Sequence, residues 1–139
     1  MPTLAEWKFA ARGGNSNSNY KFSGSNDINN VGWYSVNSGD SVHDIMGKQP
    51  NELGIYDMGG NVWEWCWDLY RSEQNKKFNS HYNGSLINNF VILSLSYRCF
   101  CGGSWDSNPS NCDITFCYDY LPASSNNNLG FRVVRSSSR

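Results

Sequence analysis

At 139 residues, with 39% hydrophobic and 15% aromatic side chains, the chain carries enough bulky apolar material for one packed domain. Its net charge of −1, with 17% charged residues, excludes the basic footprint expected of a nucleic-acid binder or of a protein held to an acidic membrane surface. No run reaches the roughly 18 consecutive apolar residues of a membrane helix, so no membrane insertion is expected, and Met1 opens onto a helix cap rather than a signal peptide.

Thr3, followed three residues later by Glu6, predicts a capping box. Leu4, Trp7 and Ala11 line one face of the helix it starts, and Gly13-Gly14 ends it. Residues 13 to 30 are rich in Gly, Ser and Asn and read as a loop anchored by Tyr20 and Phe22. Trp33-Tyr34 begins a short ordered piece, and a further loop leads through Pro50-Asn51-Glu52-Leu53 to residues 54–65. Residues 71–89 are polar and predicted to be exposed, and Phe90 to Leu95 reads as a strand from its Val, Ile and Leu content. No internal repeat or linker divides the chain.

Residues 54–65, Gly-Ile-Tyr-Asp-Met-Gly-Gly-Asn-Val-Trp-Glu-Trp, combine a tight turn with alternating indoles. In an extended strand Trp63, Trp65 and Trp67 share one face, while Val62, Glu64 and Cys66 share the other. Large aromatics at alternating positions are expected to pack a core. Gly59-Gly60-Asn61 accepts positive φ at little cost, and Asp57 can bond its own backbone. The loop also gathers the oxygen atoms of Asp57, Asn61 and Glu64, which suits either a hard cation such as calcium or a turn satisfied locally.

Five cysteines, Cys66, Cys99, Cys101, Cys112 and Cys117, form no Cys-x2-Cys pair, and with only His43 and His81 beside them a zinc site has little support. The odd count leaves at least one thiol unpaired. Cys66 is expected to be buried near Cys112, as a pair of small packers or a disulfide.

These residues resemble the formylglycine-generating enzyme, or sulfatase-modifying factor, family. The 54–65 segment resembles the family signature, and three further pieces agree in order. Pro2-Thr3-Leu4-Ala5-Glu6-Trp7 with Ala10-Ala11-Arg12-Gly13-Gly14 resembles its Pro-Thr-Glu-Ala-Glu-Trp helix and glycine stop. Gly102-Gly103-Ser104-Trp105 resembles its Gly-Gly-Ser-Trp strand, and Leu129 to Arg135 resembles its closing strand. The resemblance implies a loop-rich α+β domain with a variant of the C-type lectin fold. It also implies a calcium site at Asp57, the carbonyls of Gly60 and Val62, and Glu64. Family members normally carry a substantial segment before this helix, so the resemblance covers the later half of a full member. The chain is then either a compact or truncated relative, or a piece whose remaining strands lie elsewhere.

The enzyme of this family oxidises a substrate cysteine with copper held by two cysteines soon after the Gly-Gly-Ser strand, and thiolates are the soft ligands that suit Cu(I). Here Asp106 to Asn111 follow Trp105 and supply no cysteine. Cys112 and Cys117 reproduce the ligand spacing but fall too late, and Cys101 replaces the family's usual Arg. No copper is therefore expected.

Between Trp105 and Gly130 the composition is that of a binding loop, in which Tyr and Phe supply contact area and Ser, Asn and Asp adaptable hydrogen bonds. Many of these residue types are reachable from an Asn codon by changing only its adenines. The arrangement is similar to the variable proteins of diversity-generating retroelements, which implies a variable region at about 99–128. The expected contacts are Asp106, Ser107, Asp113, Thr115, Phe116, Tyr118, Asp119, Tyr120, Leu121 and Ser124, facing a protein or glycan ligand. Resemblance further implies display on a cell or phage surface. Two alternatives stay open: an ordinary loop in an Asn-rich protein, and a copper oxidase with a displaced cysteine pair.

Overall fold

A computed structural model describes residues 1–69 and 97–135. The segments 71–89 and 90–95 therefore lie outside the described residues. Helix α1 spans Leu4–Ala11, and its capping box forms as predicted: the Glu6 backbone N–H donates to Thr3 Oγ1 at 3.2 Å while the Thr3 N–H donates to Glu6 Oε2 at 2.7 Å. A further free N–H of the first turn, that of Leu4, donates to Asp68 Oδ2 at 2.5 Å, which ties the start of the helix to the sheet. A short helix α2, Ile28–Val31, is capped by Asp27.

The described strands are β1 (Trp63–Leu69), β2 (Arg98–Cys101), β3 (Cys117–Tyr120) and β4 (Leu129–Phe131), with a 3-10 turn at Pro109–Cys112. They form one mixed sheet in the order β3-β2-β1-β4. β1 and β2, and β2 and β3, pair antiparallel, whereas β4 returns parallel to β1 with Trp63 opposite Leu129 and Trp65 opposite Phe131.

One face of this sheet is covered by α1. The core there holds Trp7, Ala11, Met58, Cys66, Cys99 and Cys101. A second cluster, away from the first, packs Phe22, Ile28, Val31 and Tyr34 around Cys112. Of the two predicted loop anchors, Phe22 is buried and Tyr20 is exposed. Asn51 joins the loops to α1. Its side chain donates to the Ala10 carbonyl at 2.8 Å and to Ser23 Oγ at 2.9 Å, and accepts the N–H groups of Leu53 and Ile55. All four of its hydrogen-bonding positions are thereby used, as burial of an amide requires.

Two corrections concern β1 and the cysteines. The alternation of faces is as read, but the indoles are not the core: only Trp63 is buried, at 8% exposure, and Trp67 is 60% exposed. The buried face belongs to Glu64 and Cys66, because α1 brings the bulk of Trp7 to that side and leaves room only for small partners such as Cys66, Cys99 and Cys101. Cys66 consequently lies in the first cluster with Cys99, whereas Cys112 sits in the second, so the expected Cys66–Cys112 neighbourhood does not form.

Candidate functional site

The sheet's other face carries a row of aromatic side chains across all four strands. Strand register puts Phe131, Trp65, Phe100 and Tyr118 side by side. Phe100 meets Trp65 edge-on at 5.5 Å between ring centroids, Trp63 edge-on at 4.9 Å and Tyr118 at 5.8 Å. Phe116 extends the cluster to Trp63 and Tyr118, each at 6.2 Å. Such tilted and T-shaped pairs add roughly 0.5–1.5 kcal/mol each beyond buried area. In the next row the Arg98 guanidinium lies 4.9 Å over the Trp67 ring.

Of the predicted contact residues, Phe116 and Tyr118 join this aromatic cluster, and Tyr120 follows two positions along β3. Tyr118 and Tyr120 are 56% and 44% exposed, and Leu121, Thr115 and Asp106 are exposed as well. Phe116, Asp113 and Ser124 are half-buried. Asp113 Oδ1 accepts both the N–H and the hydroxyl of Thr115, at 2.8 and 2.7 Å, and so shapes the approach to β3. Asp106 is held from two sides, by the Ser104 hydroxyl at 2.6 Å and the Asn128 amide at 3.1 Å. Two residues stand apart. Asp119 pairs with Cys99 and therefore points to the opposite face from Tyr118 and Tyr120. Ser107 is buried, its hydroxyl bonded to the Ser104 N–H at 3.0 Å, so it shapes the loop and does not present itself to a ligand.

Cys101 and Cys117 form a disulfide across the β2–β3 register, clamping the base of the loop that holds residues 102–116. Cys112 is a buried free thiol. The two cysteines with copper-ligand spacing are thus separated, one bridged to Cys101 and the other enclosed by Phe22, Ile28, Val31 and Tyr34. Gly103 adopts φ 74°, and a Cβ there would run into the Cys112 sulfur, which fixes how closely this loop approaches the second cluster.

The signature turn builds a second corner. Gly60 and Asn61 take φ values of 82° and 64°, as the turn chemistry predicts, and Asp57 takes φ 59°. A Cβ on Gly60 would collide with the Trp33 carbonyl. Asn61 bridges the His43 backbone in both directions, accepting its N–H at 2.9 Å and donating to its carbonyl at 3.1 Å. Glu64, 6% exposed, accepts the Trp7 indole N–H at 2.8 Å and the Arg132 guanidinium at 2.7 and 3.0 Å. Arg132 also donates to the Tyr56 carbonyl at 2.9 Å. That role of Arg132 is absent from the sequence reading, although an Arg closing an apolar strand is a signal for a buried acid partner.

Of the four groups expected to bind calcium, Glu64 already accepts the Arg132 guanidinium and the Trp7 indole N–H. Asp57 Oδ2 accepts the Met46 N–H at 2.8 Å, while its buried Oδ1 has no hydrogen-bond partner among the described residues. A buried acceptor left unpaired costs about 1–3 kcal/mol.

A mixed sheet with sparse helices and long structured loops is an α+β domain of the C-type lectin kind found in formylglycine-generating-enzyme-like proteins. The pattern of the sulfatase-modifying factor enzyme 1-like domain matches residues 1–137, and the chain belongs to that family. It is 29% identical to the formylglycine-generating enzyme of Streptomyces coelicolor, over 99% of the chain and 46% of that protein. It is 28% identical to the inactive C-alpha-formylglycine-generating enzyme 2 of Bos taurus, over 100% of the chain and 44% of that protein. Among solved structures, Treponema denticola variable protein 1 superposes with a TM-score of 0.72 at 32% identity, over 94% of the chain and 45% of that protein. The chain spans about half the length, or less, of the curated relatives it matches. Since the relatives include both an enzyme and a protein described as inactive, family membership alone leaves catalysis open.

Proposed function

We propose that this chain is a non-catalytic binding module that presents the loop and strand from Asp106 to Ser124, with the aromatic face beside them, to a protein or glycan ligand. The observation that carries this reading is the exposed Tyr118 and Tyr120 pair on β3, continuous with Phe116, Phe100 and Trp65 and flanked in sequence by the exposed Thr115 and Leu121. Rigid aromatic area flanked by adaptable polar groups is what a binding surface needs, and the Cys101–Cys117 bridge limits the entropy lost on binding. Diversification of these positions by a retroelement, absence of copper, and display on a cell or phage surface belong to the same reading. A disulfide suits an oxidising location. The separation of Cys112 from Cys117 supports it further, because a thiolate pair for Cu(I) does not assemble.

The test replaces Phe116, Tyr118 and Tyr120 together by Ala and screens the variant and the parent against a glycan array and a displayed library of surface proteins. The parent is expected to select ligands that the variant loses, with the variant's melting point within a few degrees of the parent's. Ligands retained by the variant would overturn the assignment of the surface, and collapse of the variant's fold would make the three rings core.

A further inference from the structure

Strand β3 is an edge of the sheet: β2 flanks it on one side, and among the described residues no strand pairs with it on the other. An edge strand leaves half of its backbone donors and acceptors free, and those groups template a further strand. The ladder shows which half is free here. Opposed residues of an antiparallel pair alternate between sites that exchange hydrogen bonds, with Cα atoms about 5.5 Å apart, and sites that do not, at about 4.5 Å. Cys101 and Cys117 are opposed with Cα atoms 4.4 Å apart, which makes theirs a site of the second kind. Phe100 with Tyr118 and Arg98 with Tyr120 are then the bonded sites, and the N–H and C=O groups of Cys117 and Asp119 point outward from the sheet.

On either side of β3 the chain bonds its own backbone. The Thr115 carbonyl accepts Lys8 Nζ at 3.1 Å, the Phe116 N–H donates to the Asp113 carbonyl at 3.0 Å, and the Ser124 N–H donates to the Leu121 carbonyl at 2.9 Å. Cys117 and Asp119 therefore frame a short open window. The strand has no Pro, no Lys and no bulge, which are common guards of an edge, and its one charge, Asp119, faces away from Tyr118 and Tyr120. The aromatic row of Phe131, Trp65, Phe100 and Tyr118 also ends here, with Tyr118 56% exposed, so a strand laid beside β3 would place a side chain next in the row. Donor and acceptor pairs that repeat at every second residue are what another extended chain presents, and a sugar has no such repeat.

We infer that β3 receives an extended polypeptide segment of a partner protein as an added strand, its backbone bonded to Cys117 and Asp119 and one of its apolar side chains lying beside Tyr118. This rests on the reading of Asp106 to Ser124 as a binding surface, and it narrows the ligand of that surface to a polypeptide.

Amide hydrogen exchange of the whole chain, with and without the peptide acetyl-Thr-Val-Thr-Phe-Thr-Val-Thr-amide at millimolar concentration, tests it. In the free chain the Tyr118 and Tyr120 amides should exchange slowly and those of Cys117 and Asp119 fast; the peptide should slow the second pair. Two N-methylated forms of the peptide, one altered at its Val and Phe residues and the other at its central Thr residues, each lose the donors of one edge. One form should bind at least about tenfold more weakly than the parent peptide and the other close to it. Unchanged exchange at Cys117 and Asp119, or the same effect of both methylated forms, would overturn the inference. Unchanged exchange combined with glycan-array ligands that the Phe116, Tyr118 and Tyr120 triple variant loses would overturn strand addition and leave the binding surface standing, whereas ligands kept by the triple variant would remove the surface itself. A dimer of the free chain in sedimentation, with Cys117 and Asp119 already protected, would overturn the inference in favour of pairing between two copies.

Discussion

Cys66, Cys99 and Cys112 owe their chemistry to burial. Removal from water pushes the Cys66 thiol up to about 12, with a smaller push from neighbouring Cys99; burial likewise raises Cys99 to about 11 and Cys112 to about 12. The folded state therefore keeps protons that the unfolded chain releases near its ordinary thiol value, and stability falls as pH rises. Thermal melting followed across pH should show full stability from these groups below about 9 and a loss between about 9 and 12. Thiol reagents at neutral pH should label none of the three in the folded protein. Sequence signs of such residues are uneven. The Thr3–Glu6 cap and the positive φ of Gly60 and Asn61 were legible because each depends on neighbours within a few positions. The Arg132 partner of Glu64 was not legible, because it lies 68 positions away.

At the scale of the element, β1 was legible as a strand with Trp and Glu64/Cys66 faces, but size misled the choice of which face is buried. The space on the inner side is settled by α1, whose Trp7 already fills it, and no local spacing encodes that docking. Cysteine connectivity was equally out of reach, since five thiols permit many pairings and only the β2–β3 register brings Cys101 against Cys117. This bridge closes a segment with a sequence separation of 16 residues. Replacing Cys117 by Ser should cost about 2–4 kcal/mol, measured by denaturant unfolding, with the larger effect expected on the order of the 102–116 loop. No change in unfolding midpoint on reduction would mean that the bridge does not constrain the chain in solution.

For the whole molecule, the sheet order separates two surfaces, the β3 edge with its aromatic and polar contacts and the β4 edge with the cavity lined by Asp57, Asn61 and Phe131. Family and fold were legible because four motifs in order specify them, and the match over residues 1–137 agrees. The contact set was legible only as a composition; that Ser107 turns inward and Asp119 to the other face follows from hydrogen bonding and register. If the chain is a scaffold for display, the scaffold must tolerate change where it displays. The most direct measurement is a folding-selected library in which every position from 102 to 125 is randomised singly on the intact chain, with retention of folded protein scored for each substitution. The account predicts broad tolerance at Asp106, Asp113, Thr115, Tyr118, Tyr120, Leu121 and Ser124, and intolerance at Gly103, Ser104, Ser107 and Cys112. Widespread unfolding on substitution of the first group would contradict it and make residues 106–124 part of the framework.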